Sequence, residues 1–152
     1  MIKGLRSLKN RLARIETDLN TKVKAEITTG LGNVIMQTPV HFKDGGRARN
    51  NWYLGVGKAG NQVRKTASKS GSASFRSLDK MPDYVLDQKL FFYNNLPYIN
   101  MLEYGGYKKN PKQGTMIAPG SYQKFTSNGF SLQAPQGMAR VNLRKIAKRL
   151  RK

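Results

Sequence analysis

Apolar side chains recur from the start of the chain at Ile2, Leu5, Leu8, Leu12, Ile15, Leu19, Val23, Ile27, Leu31 and Val34. Every step is three or four residues, and almost only polar side chains lie between. This spacing predicts one long helix over residues 1–37. Continuous to Met36, it would be about 50 Å long, more than a small domain covers by itself. Gly30 and Gly32 each cost about 1 kcal/mol relative to alanine in a helix interior, so a bend or break is expected near them. Pro39 disfavours helical geometry at Thr38 and ends the element.

From Asn51 the period changes to two. In NWYLGVG, Trp52, Leu54 and Val56 share one face and Tyr53 the other, which predicts a strand. Asp44-Gly45-Gly46 supplies the turn before it. Residues 57–80 are rich in Gly, Ser, Ala and Lys, with isolated Val63 and Phe75, and predict a long mobile basic loop or hairpin tip. Residues 84–95 form a second strand candidate. PYINMLEYGG predicts a short helix opened by Pro97 and closed by Gly105-Gly106. Residues 106–134 carry enough Gly, Pro and Ser to be expected irregular. The segment 135–152 predicts a basic helix with Ala139, Leu143, Ile146 and Leu150 on one face. The expected fold class is therefore α+β in a single domain, 1–152. It comprises a long N-terminal helix, a small antiparallel sheet with a long loop or hairpin, a short helix and a C-terminal basic helix.

Charge narrows the partners. The 152 residues carry 28 Lys or Arg against 8 Asp or Glu, a formal net charge of +20. Such an excess repels itself and favours anionic partners: nucleic acid, acidic protein surfaces or anionic lipid. After Glu103 there are eleven basic residues and no acid. No apolar run is long enough to suggest a membrane span, and the basic N-terminus lacks the uninterrupted apolar stretch of a secretory signal.

Candidate chemistry is sparse. The chain has no cysteine, which excludes disulfides and thiolate metal sites. His41 is the single histidine and sits in a turn-rich segment, where an exposed loop residue is the simpler expectation than a positioned base. The acids form no ligand cluster. LGVGKAG fails as a phosphate loop, because Trp52 stands where the first Gly is required and Ala59 where Ser or Thr is required. No catalytic, cofactor-binding or metal-ligating residue is expected, and the chain is read as a non-enzyme. Two basic sets remain: Lys58, Arg64, Lys65, Lys69 and Arg76 in the loop, and Arg140, Arg144, Lys145, Lys148 and Arg149 in the C-terminal helix. Both suit sequence-independent phosphate contact or an acidic protein neighbour, and the residues do not choose between them.

Three segments carry a family resemblance. TPVHFKDGGRARNNW, following a long basic helix, resembles the Thr-Pro-Val, turn, Gly-Arg-x-Arg-x-x-Trp signature of the tail-completion or neck proteins, a minor tail family of long-tailed, lambda-like bacteriophages. NNLPYINMLEYGG is similar to the family's Asn-x-x-Pro-Tyr-x-x-x-x-Glu-Tyr-Gly segment, and QAPQGMARVNL to the start of its C-terminal helix. The turn HFKDGG departs from the family's shorter Asp-Thr-Gly. The resemblance implies a structural virion subunit, assembled in the host cytoplasm into a ring of six copies in the neck or head-proximal tail end. It would complete the tail and connect it to the head. Its neighbours would be connector, tail terminator or tail tube proteins, with genomic DNA passing through the lumen. It also implies structural roles for Thr38, Pro39, Gly45, Gly46, Arg47 and Trp52 on one side of a corner, and Pro97, Tyr98, Glu103, Tyr104 and Gly105 on the other. A charge-assisted pair from Arg47 or Arg49 to Glu103 is expected to tie the two. The alternative is a sequence-nonspecific nucleic-acid-binding protein that uses the basic loop and C-terminal helix.

Overall fold

The computed structural model describes residues 3–41, 45–107, 115–119, 121–123 and 128–151. The chain is α+β, as its sequence pattern predicts. Helix α1 runs unbroken over Lys3–Gln37. The break expected at the glycines is absent, and the reason is packing. Gly30 is buried where the C-terminal helix crosses, and a Cβ there would overlap the Ile146 side chain. Close helix packing offsets the conformational cost of that glycine.

The two ends of α1 differ sharply. Leu31, Val34 and Ile35 are 5%, 1% and 0% exposed and form part of the core, while Leu5, Leu8, Leu12, Ile15 and Leu19 are 49–61% exposed. The helix therefore projects from the domain with half of its apolar stripe uncovered.

A single 3-10 turn, Arg49–Asn51, leads into β1, Tyr53–Val56, which pairs antiparallel with β2, Leu90–Tyr93. The pairing sets Tyr53 opposite Tyr93 and Val56 opposite Leu90. Both faces of β1 are covered at its start, since Tyr53 and Leu54 are both buried. Trp52 stacks on Phe92 at 4.9 Å between ring centroids, and Tyr53 on Tyr93 at 5.4 Å.

The segment 57–80 is not wholly a mobile loop. It contains helix α2, Ser72–Leu78, which lies against the 3-10 turn and β1. Its serines serve the strand: the Trp52 N–H donates to Ser74 Oγ at 2.9 Å, and the Leu54 N–H to Ser77 Oγ at 3.0 Å. Phe75 and Leu78 complete the packing from the apolar side. A side of β1 that would otherwise present bare amides is thereby satisfied.

Helix α3, Ile99–Tyr104, ends at Gly105, whose φ of +77° only glycine adopts readily. The stretch 106–134, expected to be irregular, holds a second antiparallel pair, β3 (Thr115–Ala118) and β4 (Ser121–Gln123). Helix α4, Ala139–Leu150, closes the chain by packing on α1. Its expected apolar face is only partly used: Ile146 is buried, Leu143 stays exposed, and Asn142 turns inward instead.

Candidate functional site

Two of the three resembling segments meet. Pro39, Gly45, Gly46 and Arg47 from the first, and Tyr98 from the second, line one pocket of about 200 Å³ together with His41 and Tyr107. Burial raises both Tyr98 and Tyr107 above the usual phenol range. Each side of this junction is fixed by its own polar anchor.

On the first side, Thr38 is fully buried at the end of α1. Its hydroxyl donates to Val34 O at 2.7 Å and accepts the Trp52 indole N–H at 2.8 Å. Arg49 then covers the carbonyl end of the helix, where several groups lack intrahelical partners. Its Nη2 donates to Met36 O at 2.7 Å, Nε to Thr38 O at 3.1 Å, and Nη1 to Lys69 O at 2.7 Å. Desolvation lowers this guanidinium from its ordinary value, and the negative end of the helix dipole favours its charge. Gly46, at φ +97°, lets the chain pass against Ser68, whose carbonyl a Cβ would strike.

On the second side, Glu103 is buried and caps α4. One carboxylate oxygen accepts the Met138 and Ala139 N–H groups at 2.9 and 2.8 Å. The other accepts the Arg140 N–H at 2.9 Å and its Nε at 3.0 Å. Arg140 also donates through Nη2 to Glu103 O at 2.8 Å, and its guanidinium lies over the Tyr104 ring at 4.5 Å. Burial pushes the Glu103 carboxyl up, but the three amides and Arg140 outweigh it and hold the group below its ordinary value. Gly137, at φ +80°, is needed for this cap, because a Cβ there would overlap Glu103.

The expected bond from Arg47 or Arg49 to Glu103 is therefore corrected. Arg49 serves the end of α1, Arg47 donates to Arg64 O at 3.3 Å, and Glu103 is taken by the start of α4. A helix N-terminus offers a carboxylate several amides and a favourable dipole, which a lone arginine across the corner does not match.

The basic sets also divide. Arg64 belongs to the fold: it donates to Asn50 O at 2.8 Å and Trp52 O at 3.2 Å, and its guanidinium sits 3.8 Å over the Tyr53 ring. Arg140 is held by Glu103, and Arg149 reaches Glu26 at 3.2 Å. Lys58, Lys65, Lys69, Arg76, Arg144, Lys145 and Lys148 are exposed. The first four stand on the 57–80 segment and the last three on α4, so the two sets rest on different parts of the core.

Sequence reasoning missed the adjacent pair Asn50 and Asn51, both buried. Asn51 accepts the Arg64 N–H at 2.6 Å and donates to Arg47 O at 2.7 Å, while Asn50 accepts the Ala73 N–H at 2.9 Å. Together they stitch the 57–80 segment to the corner. Two consecutive amide side chains, each able to donate and accept, ahead of a tryptophan were the available signal.

A second, apolar cavity of about 450 Å³ opens between α1, the β1–β2 sheet and α4, lined by Ile27, Leu31, Leu54, Phe92, Leu143 and Ile146 among others. With the projecting stripe, it gives the protein two uncovered apolar surfaces. Among the described residues no helix is long and apolar enough to cross a membrane. No protein-family model matches the chain, and neither a curated protein nor a solved structure matches it.

Proposed function

We propose that the protein is a structural, ring-forming component of a bacteriophage neck or head-proximal tail end, acting as a tail-completion subunit between head connector and tail tube. The observation that carries this is the exposed stripe Leu5, Leu8, Leu12, Ile15 and Leu19 on a helix that outruns its own domain. Contiguous apolar surface of this kind marks a protein interface. Its counterpart, the cavity between α1, the sheet and α4, is a different surface on the same subunit. An interface between two unlike patches is head-to-tail, and repetition of it closes a ring when the rotation allows. The signature segments support the same function, since their residues frame one junction. In the ring, exposed lysines and arginines would face acidic neighbours or DNA in the lumen.

The test is sedimentation of the purified protein with tails that lack it, followed by electron microscopy of the pelleted particles. A ring added at the head-proximal end is expected. Persistent failure to co-sediment would overturn the proposal.

One observation favours a second function, general nucleic-acid binding: Arg144, Lys145 and Lys148 lie exposed along α4. Tight DNA binding by the free protein, weakening steeply with salt, would support it over assembly.

A further inference from the structure

The exposed half of α1 has a finer pattern than helical amphipathicity. From Leu5 to Leu19 the apolar steps alternate three, four, three, four, which is the seam of a two-stranded coiled coil with Leu5, Leu12 and Leu19 at a positions and Leu8 and Ile15 at d. Further along, the steps to Val23, Ile27 and Leu31 are all four, and there the helix packs into its own core. The seam therefore covers the part of the helix that the domain leaves bare.

We infer that the free protein pairs with a second copy of itself through this segment, as an antiparallel two-stranded coiled coil. The flanking charges select both partner and direction. Lys9 and Glu16 occupy e positions, and Arg11 and Asp18 occupy g positions. In an antiparallel pair the a residues of one helix meet the d residues of the other. Setting Leu12 against Ile15 of the second copy also sets Leu19 against Leu8. In that same register Lys9 faces Glu16 of the second copy and Arg11 faces Asp18, each twice by symmetry. Every facing e or g pair is then opposite in charge. Tyr84 donates its hydroxyl to Glu16 Oε1, which holds that carboxylate beside the seam.

A parallel pair would set only Arg11 against Glu16 and would bring two +20 subunits side by side. The antiparallel register instead sends the two cores to opposite ends of the pair, with Val23, where the helix begins to pack on its core, about 28 Å along the helix axis from its copy. The pairing stands on the helix alone and does not depend on the ring. It would keep the stripe covered until a template releases it.

Sedimentation equilibrium on the full chain at micromolar concentration tests this. Twice the chain mass is expected for the wild type. Glu16→Lys/Asp18→Lys and Lys9→Glu/Arg11→Glu should each fall to a single chain mass, and an equimolar mixture of the two should recover the doubled mass. Because the chain has no cysteine, direction can be read by disulfide trapping. A mixture of Leu8→Cys and Leu19→Cys proteins should cross-link, and Leu8→Cys alone should not. A monomeric wild type, charge variants with unchanged mass, or efficient cross-linking of Leu8→Cys to itself would overturn the inference. A monomer that still joins tails would do so while leaving the proposed function standing.

Discussion

Trp52 donates its indole N–H to the hydroxyl of Thr38 at 2.8 Å, and that hydroxyl in turn donates to Val34 O, inside the end of α1. Through this link the strand that begins the sheet is tied to the last turn of the long helix. Both residues are buried, so the bond has no water to replace it.

Thr38→Val should leave the indole N–H buried without an acceptor and lower stability by about 2 kcal/mol, the cost of one unsatisfied buried donor. Urea unfolding of the single variants and of Thr38→Val/Trp52→Phe checks it. The double variant should lose less than the sum of the two single losses, because the coupled bond is removed only once.

Arg49→Ala should destabilise the fold by about 2 kcal/mol, since two carbonyls at the end of α1 and that of Lys69 lose a charged donor. Lysine is a point charge and cannot reproduce the fork. Arg49→Lys should therefore recover only part of the loss in thermal melts.

Much of this fold is legible in the sequence, and the departures have physical causes. The apolar spacing predicts α1 and α4 because each keeps the helical period, and Gly105 marks the end of α3 because its φ is positive. Gly30 misleads, because a glycine that weakens an isolated helix also allows close approach to Ile146. Helix α2 escapes notice because its inward face is built on Ser74 and Ser77, which bond the strand amides, with only Phe75 and Leu78 as apolar markers. At the junction, Pro39, Gly46, Arg47 and Tyr98 do come together. The partner of Glu103 is misjudged because charge alone suggests any nearby arginine, whereas the start of a helix more than thirty residues later supplies three amides and Arg140.

Glu103→Gln should cost about 2 kcal/mol near neutral pH, because it weakens the charged acceptor that holds three backbone amides at the start of α4. Glu103 is held below its ordinary value in the folded chain. Its contribution is therefore fully present above the carboxylate pKa of the unfolded chain and is lost as pH falls through the lower folded value. The stability curves of wild type and variant should converge on acidification. A gap that stays constant to low pH would contradict the role assigned to this carboxylate.

Removing exposed charge should separate from removing structural charge. Arg144→Ala/Lys145→Ala/Lys148→Ala should leave the melting temperature unchanged. If the free protein binds DNA through α4, the same variant should flatten the salt dependence by about 0.9 in log–log slope for each phosphate it no longer neutralises. Arg64→Ala, by contrast, should lower stability, since that guanidinium packs over Tyr53 and bonds two backbone carbonyls.

Leu12 and Ile15 lie in the middle of the bare stripe, 56% and 61% exposed. Leu12→Glu/Ile15→Glu therefore spares the core and strikes only what another chain would cover. Thermal unfolding and co-sedimentation with tails lacking the protein, run on the same preparation, give the most direct measurement. The expected result is a domain that still unfolds cooperatively, with its melting temperature lowered only by the lost pairing, and with association to tails lost. A variant that joins tails as well as the wild type would show that the stripe is not where this protein meets its partners.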